Sequence, residues 1–281
     1  KEIKLKVMSV DIETDPKAKE IFSIAIVQDK FEKVLIVSDK KLKKAESFED
    51  EEDLLERFFE IINEEDPDII TGWNFIDFDL KVIRERCKKL KVRFALGKGG
   101  ADAKLIIRPG YFETSKVIAQ GRQIIDLLNW IRDTTKLENY KLETVAQHFL
   151  KEGKLKDVPY SQMEEILKKD PQKIVNYNLQ DAKITLEILE KSKVLELFQK
   201  KSTITGLLIS QVKGSIASLD SLYLKKLHDR NYVAPSATYS NKEQRIMGGY
   251  VMDSKPGIYE NIIVLDFKSL YPSLMRTFNI D

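Results

Sequence analysis

Residues 7–14 read Val7-Met8-Ser9-Val10-Asp11-Ile12-Glu13-Thr14, an apolar run that ends by presenting two carboxylates. Side chains alternate along a strand, so Asp11 and Glu13 point to one side while Val10 and Ile12 point to the other. At about 4 Å and an effective dielectric of about 20, two such charges repel by about 4 kcal/mol. The pair must therefore separate, hold a proton or bind a cation. Carboxylate oxygens are hard ligands that suit magnesium or manganese. The plainer alternative is a strand running out into solvent with acids at its tip, and acids elsewhere in the chain must decide between the two.

Working outward, residues 21–27 and 34–37 are short β-branched runs separated by charged turns, which predicts a three-stranded antiparallel meander. From Ser47 the apolar positions Leu54, Leu55, Phe58, Phe59, Ile61 and Ile62 follow a helical period, with Asp50, Glu51 and Glu52 at its positive end and Pro67 as its stop. Residues 69–73 read as a buried strand, followed after a polar turn by a helix through Leu80, Ile83, Arg84 and Cys87. Strand, helix and strand in that order ask for parallel pairing, so the expected sheet is mixed and covered by helices. Residues 117–125 predict a β-hairpin turning at Gly121, whose missing Cβ tolerates positive φ. Beyond it the pattern is mostly helical, with a long helix from about 171 to 191 that opens on Pro171. Helix continues from about 194 to 232, interrupted near Gly206 and Gly214. After Pro235, Gly248-Gly249 and Pro256-Gly257 change the composition ahead of a predicted strand at 262–266. The expected division is 1–192, 193–234 and 235–281.

The totals narrow the class. The 47 Lys plus Arg nearly cancel the 45 Asp plus Glu, so a nucleic-acid surface here would be a local patch and not a global field. The Lys-rich patches at 40–44 and 88–91 read as solvated faces. Cys87 is the only cysteine, which excludes an internal disulfide and fits a reducing interior. No apolar run approaches the roughly 18 residues of a membrane span, and no secretory signal opens the chain. A cytoplasmic protein with no membrane partner is the expectation. Because Lys1 opens the chain inside a strand without a methionine, a piece of something longer is expected.

Two further groups of acids compete for the space beside Asp11 and Glu13. The first is Asn74-Phe75-Ile76-Asp77-Phe78-Asp79, directly after a buried strand, where open α/β sheets place their ligands. Locally either aspartate could point inward, and Asp79 could equally be the N-cap of the next helix. The second is Tyr177-Asn178-Leu179-Gln180-Asp181, in which Tyr177 and Asp181 share one helical face. The plain reading there is a buried tyrosine bonded to an acid one turn away. Asp126, after the hairpin, reads as a helix cap. Together, Asp11 and Glu13 on a strand, Asp77 or Asp79 after a second strand and Asp181 on a late helix make a four-carboxylate set joined by a tyrosine. That set matches the demand of two divalent ions about 4 Å apart, which clamp the attacking and leaving oxygens of an in-line displacement at phosphorus.

These residues resemble the three exonuclease motifs of family B DNA polymerases, in the Asp-Glu-Asp-Asp group that uses tyrosine. Asp11-Ile12-Glu13 resembles the first motif; Asn74, Phe78 and Asp79 the second, which favours Asp79 over Asp77; Tyr177 and Asp181 the third. Phe94-Ala95-Leu96-Gly97, Gly121-Arg122 and Tyr140-Lys141-Leu142-Glu143 resemble segments of archaeal members. Leu265-Asp266-Phe267-Lys268-Ser269-Leu270-Tyr271-Pro272-Ser273 resembles the first polymerase motif. By chemistry alone, Asp266 is an acid at a strand end.

The resemblance implies a ribonuclease-H-like 3'–5' exonuclease domain of α/β class, with a mixed sheet flanked by helices, followed by a helical connector and an incomplete polymerase palm. It further implies that Asp11, Glu13, Asp79 and Asp181 bind two Mg2+ or Mn2+ ions, that Tyr177 positions water, and that Asn74 and Phe78 hold a frayed DNA end. Asp266 would bind metal and, with Phe267, Ser269, Leu270 and Tyr271, an incoming nucleotide. Gly248, Gly249 and Tyr250 would touch DNA; a plain turn is the other reading of the two glycines. One departure is Ile246, which stands where the family pattern places a tyrosine and bears on how a primer divides between synthesis and editing. The implied partners are a single-stranded 3' end or primer-template, and the remainder of the polymerase or a second fragment of it. No later polymerase motif follows, so no DNA synthesis by this chain alone is expected. The alternative is an exonuclease-like domain that serves as a silent scaffold or DNA-binding surface.

Overall fold

The computed structural model describes residues 4–107, 115–151, 163–236 and 248–280. They fall into two compact units, Lys1–Ala234 and Pro235–Asp281. The first unit opens with β1 (Val7–Thr14), β2 (Ile21–Gln28) and β3 (Phe31–Val37), an antiparallel meander as the charged turns predict. A short fourth strand, β4 (Ala45–Phe48), adds parallel to β3 at the edge. Its four half-buried residues carry too little apolar signal to be seen in the sequence. Helix α1 (Glu51–Glu65) follows, capped by the Asp50 carboxylate, which accepts from the Asp53 N–H at 3.0 Å. Next come β5 (Ile69–Gly72), parallel to β1, and α2 (Asp79–Leu90).

Beyond α2, β6 (Lys104–Ile106) pairs with β7 (Lys116–Ile118), and β8 (Gln123–Asp126) pairs parallel to β5. This corrects the predicted hairpin at 117–125. Gly121 does turn the chain at φ 74°, but only Ala119 and Arg122 bridge across the turn before the two strands leave for different sheets. Arg122 explains the divergence. Its buried guanidinium donates to the carbonyls of Ile62, Pro67, Leu96 and Gly97 and to Asp66 Oδ1, at 2.9–3.1 Å. That ties the start of β8 to the end of α1 instead of to β7. The main sheet order is β4-β3-β2-β1-β5-β8, a mixed sheet as expected.

The two faces of the sheet are covered differently. Met8, Val10 and Ile12 of β1 pack with Leu54, Leu55 and Phe58 of α1 and Leu80 and Ile83 of α2. The other face receives α3 (Leu127–Thr134), α4 (Leu142–Leu150), α5 (Met163–Lys169) and the 22-residue α6 (Pro171–Ser192). Ile174, Val175, Leu179 and Ala182 of α6 pack on Ala25, Val27, Val34 and Ile36. Asp11 and Glu13, by alternation, lie on this second face. Helix α7 (Val194–Thr205) ends on Gly206 at φ 77°, and α8 (Ser215–His228) starts after Gly214. These are the two interruptions the glycines predict.

In the second unit, helix α9 (Leu270–Phe278) is the one regular element among the described residues. The strand predicted at 262–266 is not formed. Its backbone has no ladder partner among the described residues, and Ile263, Val264 and Leu265 are exposed. An apolar run becomes a strand only where another strand satisfies its N–H and C=O groups.

Candidate metal centre

The acids gather at the carboxyl ends of the parallel strands β1, β5 and β8. Asp11, Glu13 and Asp181 can each offer a carboxylate oxygen such that all three oxygens lie within 4.8 Å of one another. Glu13 and Asp181 are buried and Asp11 is half-buried. Strand β1 supplies two of them because alternation aims positions 11 and 13 at α6. Helix α6 supplies the third because Asn178, Asp181 and Thr185, spaced three and four apart, form a polar stripe along its buried face. Clustered hard oxygen donors of this kind fit a divalent magnesium or manganese ion.

Asp79 reaches the same place by another route and is not among those three. Strand β5 pairs with β1 only as far as Ser9 and Thr71, which leaves the Ile12 N–H facing the gap where β5 has departed. Asp79 Oδ1 fills it, accepting from Ile12 N at 3.2 Å. Of the two candidate aspartates, Asp77 is exposed and Asp79 is 3% exposed. Asp79 is the first residue of α2 and Phe78 stands at the cap position, so the N-cap reading is set aside. Burial, and next the charge of Asp11, push the Asp79 carboxyl well above the usual range.

Gly72 makes the close approach possible: a Cβ there would lie 2.5 Å from the Val10 carbonyl oxygen and 2.7 Å from the Phe75 ring. The loop after it is held by Asp126, at the end of β8. Asp126 occupies the cap position of α3 but makes no cap bond; its Oδ2 accepts from Ile76 N at 3.1 Å. Burial raises its carboxyl to about 6. The helix-cap reading thus holds for the position of Asp126, while its one hydrogen bond of good geometry goes to the loop.

Tyr177 lies one turn before Asp181, half-buried against the cluster that includes Phe22 and Leu179. Asn74 is exposed with φ 58°, and Phe78 is half-buried against the α1–α2 core. Sequence reasoning passed over Asn178, which is fully buried and donates to Asp11 Oδ2 at 2.7 Å, and Ser23, which donates to Asn178 at 2.9 Å. The buried polar stripe on α6 was the available signal. It is hard to see because an amide inside an apolar helix reads as a neutral position.

In the second unit, Asp266, Phe267 and Tyr271 are exposed, and Ser269 stands at the cap of α9 with φ 53°. Leu270 is the first residue of that helix. Gly248, Gly249 and Tyr250 are exposed, and a Cβ at either glycine would meet nothing within 4 Å among the described residues. Packing within their own segment does not call for glycine. Ile246 lies outside the described residues. Among the described residues, no helix is long and apolar enough to cross a membrane.

Residues 1–145 match the family described as DNA polymerase family B, exonuclease domain, and residues 209–281 match DNA polymerase family B. DNA polymerase II of Escherichia coli (strain K12) is 36% identical over 222 residues, covering 77% of this chain and 28% of that protein. A DNA polymerase of Desulfurococcus sp. (strain Tok) is 31% identical over 293 residues, covering 98% of this chain and 37% of its own. The DNA polymerase delta catalytic subunit of Dictyostelium discoideum is 31% identical over 246 residues, covering 82% and 22%. This chain thus spans between about a fifth and two fifths of the length of these three relatives.

Proposed function

The chain belongs to DNA polymerase family B, and from that premise we propose that residues 1–192 act as its 3'–5' proofreading exonuclease. In this reading 193–234 form a connector and 235–281 begin the palm. The observation that carries it is the convergence of Asp11, Glu13 and Asp181 within 4.8 Å, with Asp79 bonded to the backbone between the first two. Clustered carboxylates with no cation to hold would carry mutual repulsion for nothing in return, which argues against a silent scaffold.

Asp11, Glu13, Asp79 and Asp181 would hold two Mg2+ or Mn2+ ions. When bound, such ions supply Lewis-acid stabilisation of the attacking and leaving oxygens at phosphorus. The protein's own part is positional. Strand β1 and helix α6 present fixed carboxylates, and Tyr177 orients the attacking water from one turn before Asp181. Asn74 and Phe78, on the loop that Asp126 holds, support the terminal nucleotides of a single-stranded DNA end, where stacking of an unpaired base on an aromatic ring is worth about 1–3 kcal/mol. A duplex end must fray before it reaches them. In the second unit, Asp266 would serve the synthesis site as a metal ligand. Phe267, Ser269, Leu270 and Tyr271 would hold the incoming nucleotide, and Gly248, Gly249 and Tyr250 would lie against the DNA backbone.

The test is digestion of a 5'-labelled single-stranded oligonucleotide by the wild-type chain and by the Asp11→Ala, Glu13→Ala double variant, with Mn2+ and with chelator. The expected result is shortening from the 3' end by the wild type with Mn2+ only, and none by a variant that still melts cooperatively. Digestion retained by the pure double variant would overturn the assignment.

A further inference from the structure

Asn178 is 0% exposed on α6, and its side chain joins two strands: Nδ2 donates to Asp11 Oδ2 on β1 and Oδ1 accepts from Ser23 Oγ on β2, at 2.7 and 2.9 Å. The amide cannot be turned end for end, because an ionised Asp11 only accepts and so requires the nitrogen. Ser23 is the cross-strand partner of Glu13. The register slips beside that pair, between Glu13 and Thr14, so that consecutive residues Phe22 and Ser23 both serve the α6 side, one by packing and one by its hydroxyl. Such bulges re-aim a side chain next to a site. The relay Ser23–Asn178–Asp11 therefore links β2, α6 and β1 directly beneath the three acids, and Asn178 stands three residues before Asp181 on the same helical face.

We infer that Asn178 is a positioning residue for the cation site. It holds the Asp11 carboxylate in one rotamer and, by docking α6 on β1 and β2 within a turn of Asp181, sets the spacing between Asp181 and the β1 acids. An apolar residue of the same size would fill the volume at no polar cost. An amide buried there is costly unless both its ends are bonded, and here one of those ends is bonded to a ligand carboxylate. Three carboxylates repel, and a fixed N–H donor holds the first of them in place. The inference rests on the exonuclease reading of the site and extends it to a residue outside the acid set.

The 281-residue chain is compared with its Asn178→Ala and Ser23→Ala variants by three measurements: metal-free crystal structures, Mn2+ titration by calorimetry, and kcat and KM on single-stranded DNA. In Asn178→Ala, Asp11 should leave its wild-type rotamer, Mn2+ affinity should fall by about 10- to 100-fold, and kcat should fall with KM for DNA little changed, as when other residues that orient metal ligands are removed. Ser23→Ala should move the same quantities by a smaller factor. It barely alters core volume and decides the case if Asn178→Ala does not fold. An unchanged Asp11 rotamer together with unchanged Mn2+ affinity, with only the melting temperature lowered, would reduce Asn178 to a packing residue and overturn the inference. A wild type that neither binds Mn2+ nor digests DNA would refute the exonuclease reading instead, and the metal-free structures would still decide the positioning role.

Discussion

Asp79 accepts a hydrogen bond at 3.2 Å from the backbone N–H of Ile12, the residue between Asp11 and Glu13. One bond thus fixes the acid from the β5 loop against the strand that carries the other two. It has a cost in the metal-free chain, because the same burial that places Asp79 there disfavours its charge.

Asp79→Asn should keep an acceptor for Ile12 and remove that charge. A carboxyl raised in the folded state stabilises most below its unfolded value, and this contribution is lost as pH rises through the folded value. In chelator, wild-type melting temperature should fall as pH rises from the unfolded carboxyl range, and the variant should show a flatter dependence. Adding Mn2+ should stabilise the wild type more than the variant. Digestion by the variant should drop by roughly 100- to 1000-fold, the loss of a few kcal/mol of charge stabilisation. Denaturation scans across pH with and without Mn2+ check the first part, and single-turnover digestion checks the second.

Asp126 offers a second case: its carboxyl is raised to about 6, chiefly by burial, and its Oδ2 accepts from the Ile76 N–H. The same sign applies: its contribution is present below about 3.8 and lost as pH passes about 6. Asp126→Asn should gain on wild type by up to about 3 kcal/mol between pH about 4 and about 8 in chelator. Urea midpoints at the two pH values measure the difference. Equal midpoint shifts at both would contradict the burial argument.

Gly72→Ala tests the close approach of β5 to β1. With 2.5 Å between the added Cβ and the Val10 oxygen, either the backbone or the Phe75 ring must move. The expected cost is about 1–3 kcal/mol, as for other overpacked cores. Because the displaced loop carries Asp79, Mn2+ affinity should fall along with the urea midpoint. A variant as stable as wild type would show that this contact is soft.

Much of this was legible in the sequence where a period and a stop signal agree. The meander, α1 with acids at its positive end, and α6 opening on Pro171 all come from local pattern that packing then follows. Asp11 and Glu13 were legible because alternation alone puts them on one face. Asn178 was not, since nothing nearby in sequence announces a partner 167 residues away. The choice between Asp77 and Asp79 needed the family's pattern, because locally either could point inward. For Asp126 the cap position was legible and the partner was not, because only the fold brings the Ile76 N–H to its carboxylate. The run at 262–266 has the composition of a strand, but pairing is a property of two segments, and none of the described residues supplies the second.

The most direct measurement is an anomalous difference map from crystals of this chain soaked in Mn2+ with a short single-stranded oligonucleotide. The account predicts anomalous density bounded by the carboxylates of Asp11, Glu13 and Asp181, with Asp79 beside it and the 3' end of the strand against it. Density for Mn2+ only at surface acids, with Asp11, Glu13 and Asp181 holding no ion, would contradict it.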